Sequence, residues 1–182
     1  MMIREMNNDI TLRSFTVDDS EELFQLTDRS REYLGKWLPW IDYTKEVNDT
    51  KEWIQASLKG VVETGGYIKT AAIIYKGSIA GTIGFNIIDQ TNKSGVIGYW
   101  IGEDFQGKGI MTQACKALID YGFRELDLNR VEINVATGNL KSKAIPERLG
   151  MTLEGTKRQV EKIGGKFHDH FVYSILADEW QK

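Results

Sequence analysis

The stretch Gln106-Gly107-Lys108-Gly109-Ile110-Met111-Thr112 constrains this chain most, because a strand-like run gives way there to a helix through a turn with almost no side chains. Before it runs Val96-Ile97-Gly98-Tyr99-Trp100-Ile101, and after it Ile110, Met111, Ala114, Ala117, Leu118 and Tyr121 fall at the spacing of one buried helical stripe. A strand that feeds a glycine turn opening a helix presents unpaired backbone N–H groups, with the positive end of the helix dipole behind them. Such a turn suits a phosphate or pyrophosphate. Two common phosphate loops are excluded. A Walker loop needs G-x-x-x-x-G-K-[ST], which no glycine pair satisfies, and a dinucleotide loop needs a third glycine where Thr112 stands. Read alone, the turn is equally well a solvated surface turn.

Around it the chain reads as strands and helices in alternation. Residues 9–15 alternate apolar with polar as a first strand. Asp18-Asp19-Ser20 offers caps for a helix carrying Leu23, Phe24, Leu26 and Tyr33, and Trp37-Leu38-Pro39-Trp40 reads as a loop. Asn48-Asp49-Thr50 caps a second helix with Trp53, Ile54, Leu58, Val61 and Val62 on its buried side, ending at Gly65-Gly66. Strands at 67–75, 79–88 and 94–101, with short turn-rich spacers, form an antiparallel meander. Residues 130–136 turn Val131, Ile133 and Val135 inward, and the helical crossover makes this strand parallel to the one before the turn. Asn139 caps a short helix interrupted by Pro146, and 151–162 with 166–176 form a hairpin at Gly164-Gly165. The expectation is one α/β (α+β) domain over 1–182, with a mixed, mainly antiparallel seven-stranded sheet.

Composition narrows the function. A net charge of -3 gives no basic patch, so nucleic-acid binding is not expected. No run approaches the roughly eighteen apolar residues of a membrane span, and the first residues lack the apolar core of a signal peptide, so the expected address is cytoplasmic. The single Cys115 reads as a core residue. His168-Asp169-His170 places two imidazoles on one strand face, but two ligands are too few, and no metal is expected.

The pattern Gln106-x-x-Gly109-x-Met111, followed by Asn139-Leu-Lys-Ser142 and Arg148-Leu-Gly150-Met151, resembles the GNAT superfamily of N-acetyltransferases. Tyr33-Leu-Gly-Lys-Trp37-Leu-Pro39-Trp40, Arg158-Gln159-Val160-Glu161 and Tyr173-Ser-Ile-Leu176 extend the resemblance to its RimJ/RimL group, which acetylates ribosomal-protein N-termini. Met111 stands where the family has glycine or alanine and puts a larger side chain beside the loop.

The resemblance implies helices on both sheet faces and acetyl-CoA as cosubstrate. The pantetheine would pair with the Trp100 and Ile101 backbone where the strands ending at Ile101 and Ala136 splay, with the Ile101 N–H toward the thioester carbonyl. Its pyrophosphate would meet Gly107, Lys108, Gly109, Ile110 and Met111, with Gln106 in the loop and the Thr112 hydroxyl nearby. By motif position Ser142 is the acid toward sulfur, Glu161 the base, and Asn139 an orienting group. Trp37, Trp40 and His168 would line the acceptor end. Asn139 and Ser142 fit helix capping equally well, and Glu103 and Asp104 are alternative bases. The acceptor expected first is a protein N-terminus. A small amine (polyamine, amino acid or aminoglycoside) and a non-catalytic CoA-binding module are the alternatives, and the group leaves a homodimer open.

Overall fold

The computed structural model describes residues 2–7, 9–63 and 67–180, with the side chains of all but 2–5 and 61–63. Its elements in chain order are β1 (Met2–Asn7), β2 (Ile10–Ser14), α1 (Ser20–Arg29), α2 (Arg31–Leu34), α3 (Val47–Glu63), β3 (Thr70–Tyr75), β4 (Ser78–Asp89) and β5 (Ser94–Ile101). There follow α4 (Ile110–Arg124), β6 (Arg130–Ala136), α5 (Leu140–Arg148), β7 (Thr152–Ile163) and β8 (Lys166–Leu176). The strands form one mixed sheet in the order β1-β2-β3-β4-β5-β6-β8-β7. Eight strands replace the expected seven because β1 adds an edge to β2. The cause is local: Asn7 Oδ1 accepts the N–H groups of Asp9 and Ile10, both at 2.9 Å, and turns the chain back on itself. The main-chain edge of β2 then bonds β1, although Met2-Ile3-Arg4-Glu5-Met6-Asn7 shows no alternation that would have announced a strand.

Two compact units divide the chain. One comprises Met1–Gly84 and Tyr99–Ala114, the other Phe85–Gly98 and Cys115–Lys182. In the first, Phe15, Leu23, Leu26, Ile54, Ala72 and Ile79 form a buried cluster, with Leu58, Ile74, Trp100 and Phe105 packed against it. Trp53 does not share that burial. It is 42% exposed and meets Phe15 edge-on at 5.4 Å, while its neighbour Ile54 takes the inward position. Nor does α3 begin at Asn48-Asp49-Thr50: the Asp49 carboxylate reaches back to accept the N–H groups of Lys45 and Glu46 at 2.7 and 3.0 Å, so the helix starts at Val47. The expected stop at Gly65-Gly66 lies outside the described residues. The first helical run breaks at Ser30, whose hydroxyl accepts the Glu103 N–H at 3.1 Å.

In the second unit β6 buries Val131, Ile133 and Val135 as their alternation requires. It runs parallel to β5 over residues 94–97 against 130–133, and antiparallel to β8 along its whole length. The parallel pairing confirms the crossover through α4. Phe85 wedges between two glycines: a Cβ at Gly95 would approach its ring to 2.8 Å and one at Gly122 to 2.9 Å. Asn139 caps α5 as expected, its Oδ1 accepting the Ser142 N–H at 3.2 Å. Pro146 is buried inside this helix, which stops after nine residues. The β7–β8 turn is made by Gly164 and Gly165, both left-handed (φ 54° and 81°), the conformation a two-residue hairpin loop needs.

Candidate active site

At the end of β5 the chain makes a short turn, Glu103–Phe105, fastened by Gly102 N–H to Ala80 C=O at 2.8 Å. Gly107 and Gly109 then take φ values of 72° and 71°. A Cβ on either would meet no protein atom within 4 Å, so the left-handed backbone is what demands glycine. Gln113 N–H donates to Gly109 C=O at 3.2 Å as α4 closes its first turn. The N–H groups of Ile110, Met111 and Thr112 precede that bond and stand at the positive end of the helix. Met111 is buried, as are Ile110 and Ala114, while Thr112 is half-buried. Lys108 turns its ammonium onto the protein, donating to Asp104 C=O at 2.6 Å and lying over the rings of Phe105 and Tyr75.

The same unit gathers the expected aromatic residues. Trp40 packs on Trp100 with ring centroids 5.8 Å apart. Trp37 is half-buried, its N–H on Leu34 C=O at 2.9 Å. Pro39 opens the turn Pro39–Tyr43, its fixed φ matching the first helical position. Arg31, which the sequence did not single out, fastens this loop. Its guanidinium donates to Ile41 C=O and Thr44 C=O, both at 2.8 Å, and pairs with Asp28 at 3.0 Å. The Tyr33 hydroxyl bonds the Gln106 side chain, and burial pushes that phenol above its usual pKa despite this bond.

The second unit holds Asn139, Ser142, Glu161 and His168. Glu161 faces His168 across the hairpin, both half-buried. Its carboxylate oxygen Oε2 lies 3.0 Å from the His170 Nε2, a pairing the sequence reading missed. Residues two apart on a strand share a face, and of these two imidazoles His170 meets a carboxylate of the facing strand. Among the described residues no group of three or more His, Cys, Asp or Glu side chains is placed to hold a metal ion. Arg130 of β6 bridges Glu132 of the same strand and Glu154 of β7, and its hydrogen bonds, with that of Ser174, hold the Glu154 carboxyl down to about 2. Cys115 is fully buried, and burial pushes its thiol well above the usual range. No described helix is long and apolar enough to cross a membrane.

A mixed sheet with a parallel β5–β6 pair, crossed over by a helix that starts at a glycine turn, defines an acyltransferase fold of the GNAT type. The Acetyltransferase (GNAT) domain family matches residues 9–152, and the chain belongs to it. The chain is 39% identical, over 100% of its length and 98% of the relative's, to YdaF of Bacillus subtilis (strain 168), a protein whose assignment as a ribosomal N-acetyltransferase is provisional. It is 29% identical, over 96% of both chains, to the ribosomal-protein-serine acetyltransferase of Escherichia coli (strain K12). Among solved structures, RimL, a ribosomal L7/L12 alpha-N-protein acetyltransferase in complex with coenzyme A, superposes with TM-score 0.91 at 31% identity, covering 98% and 99% of the two chains. The microcin C7 self immunity acetyltransferase MccE, in complex with acetyl-CoA and AMP, superposes with TM-score 0.87 at 34% identity over 94% of both.

Proposed function

We propose that this protein transfers the acetyl group of acetyl-CoA to the N-terminal α-amino group of a ribosomal protein. The observation that carries the reading is the turn at 106–112: two left-handed glycines opening α4, whose first N–H groups precede the helix ladder. Those donors fit a pyrophosphate, and the N–H groups of Gly107, Lys108, Gly109, Ile110 and Met111 with the Thr112 hydroxyl would hold it. The Trp100 and Ile101 backbone would pair with the pantetheine amides. When bound, acetyl-CoA supplies an activated acetyl thioester. Glu161 would take the proton of the attacking amine and Ser142 would protonate the departing sulfur, with Asn139 fixing Ser142 through its cap. An α-amino group, with a pKa of ~8 against ~10.4 for lysine, gives up its proton more readily at neutral pH and suits a carboxylate base. Trp37, Trp40 and His168 would meet the acceptor. The named relatives support the ribosomal acceptor, and with it a cytoplasmic protein. The family match runs through segments of both units, which supports one acetyltransferase domain over 1–182.

A second reading keeps a small amine as the acceptor, since MccE, which is similar to this chain over 94% of its length, is named for microcin C7 self immunity and not for a ribosomal protein. Thiol release from acetyl-CoA with ribosomal N-terminal peptides, polyamines and amino acids separates the two, mass spectrometry locating the acetyl group. Turnover confined to peptide α-amines is the expected result. Turnover confined to small amines would replace the acceptor, and tight acetyl-CoA binding without turnover on any amine would leave a binding module.

A further inference from the structure

We propose that His170 is a positioning residue for Glu161, and that the β7–β8 hairpin is irregular in order to bring the two together. The inference rests on the acetyl-transfer reading for its functional meaning, but the pair itself stands on geometry within the hairpin. Lys157 of β7 faces His170 of β8, and Glu161 of β7 faces His168. Between these two pairs β7 places residues 158–160, three of them, where β8 places only residue 169. This is a bulge of two extra residues, and bulges re-aim side chains. Gln159 takes a left-handed φ of 51° to make it. Its N–H, taken out of the ladder, donates to the Asp169 side chain at 2.8 Å, while the Asp169 carbonyl accepts the Thr137 N–H at 2.9 Å. Asp169 thus fixes the bulge from β8.

The product of this construction is the diagonal contact from Glu161 Oε2 to His170 Nε2 at 3.0 Å. His170 lies deeper, its side chain 15% exposed against 31% for Glu161. Its backbone is held on both sides, opposite Ala136 of β6 and Lys157 of β7. A glutamate on a hairpin has three soft torsions and many rotamers, and a base must hold one of them. The imidazole, held by the sheet, donates from Nε2 to one carboxylate oxygen and leaves the other to accept the amine proton. The ammonium proton leaves the nitrogen for Oε1 and the freed electron pair attacks the thioester carbonyl; as the C–S bond breaks the nitrogen gives its second proton to water, sulfur takes one from Ser142, which water reprotonates, and Glu161 returns its own to water after the product departs.

The test uses the full chain with three variants. His170→Phe keeps the ring volume and removes the donor, His170→Gln keeps an N–H donor near the Nε2 position, and Glu161→Gln removes the acceptor charge. If His170 positions Glu161, His170→Phe lowers kcat roughly tenfold or more with KM for acetyl-CoA within about twofold, and His170→Gln recovers most of the loss. Wild-type kcat in His170→Phe would overturn the proposal. So would His170→Gln as impaired as His170→Phe, since the imidazole itself would then be carrying the proton. Independently of turnover, imidazole nitrogen NMR reads the pair: the His170 Nε2–H signal should move in Glu161→Gln, and a spectrum indifferent to that substitution would also sink the pairing. Absence of acetyl transfer by the wild type, with the NMR coupling present, would overturn the N-acetylation reading and leave the pair standing.

Discussion

The turn at 106–112 and the β7–β8 hairpin are built on opposite plans. In the turn the proposed chemistry would come from the backbone. Two glycines set the φ values, α4 aligns the donors, and the side chains of Ile110 and Met111 are buried while Lys108 is tied to Asp104. In the hairpin it would come from side chains, on a backbone deformed so that the bulge at 158–160 sets Glu161 diagonally onto His170. A site whose donors are main-chain groups tolerates changes of side chain but not of conformation. For a site made of two side chains and a bulge the sensitivity is reversed.

The largest expected effect lies on the hairpin. Glu161→Gln should lower kcat by about 10²–10⁴, the usual worth of a general base, with acetyl-CoA affinity unchanged in calorimetry. The mirror experiment is Gly109→Val. A β-branched residue at φ 71° costs about 1–2 kcal/mol and swings the following N–H groups off line, so affinity should fall roughly tenfold or more. Unchanged affinity would remove the turn from the site, and a Glu161→Gln variant that binds poorly would show the two regions to be less separable than their construction suggests. Smaller, and confined to the acceptor, is Arg31→Ala. Loss of its bonds to Ile41 and Thr44 frees the loop carrying Trp40, and KM for the amine should rise by about three- to tenfold while KM for acetyl-CoA stays put.

The smallest effect concerns the far part of the hairpin. Glu154 is held at about 2, below its ordinary value of 4.5, so its ionised form stabilises the fold. That contribution is complete above about pH 5, and it is lost as pH falls from the ordinary value of 4.5 through about 2. Its side chain is 42% exposed, so solvent screening limits the worth to at most ~1 kcal/mol. Urea titrations of Glu154→Gln should show it less stable than wild type at pH 7 and level with it near pH 2. A constant gap would mean that packing, not charge, is at stake.

Why one region could be read from sequence and the other not follows from these plans. Gly107 and Gly109 before a periodic apolar stripe state the turn within a few residues, and β5 and β6 begin and end where their alternation places them. Glu161 was singled out by motif position and His170 only as one of two imidazoles on a strand face; their pairing could not be read, since no rule of spacing announces a two-residue bulge whose support is the Asp169 carboxylate. Arg31 escaped for a related reason, because its partners are main-chain carbonyls ten and thirteen residues away. The misplaced Trp53 shows the limit of a helical stripe one residue wide: Trp53 and Ile54 are both apolar, and packing alone chose between them.

The buried Cys115 has a use outside the chemistry. With its thiol shielded, the native protein should be silent toward a thiol-detecting dye, so that colour developed in a turnover assay would come from the coenzyme A released. The same residue becomes a clock when turnover is absent. It reacts only in molecules whose α4 has opened, so the slow labelling rate reports how often the centre of the chain comes apart while the rest of the population stays folded.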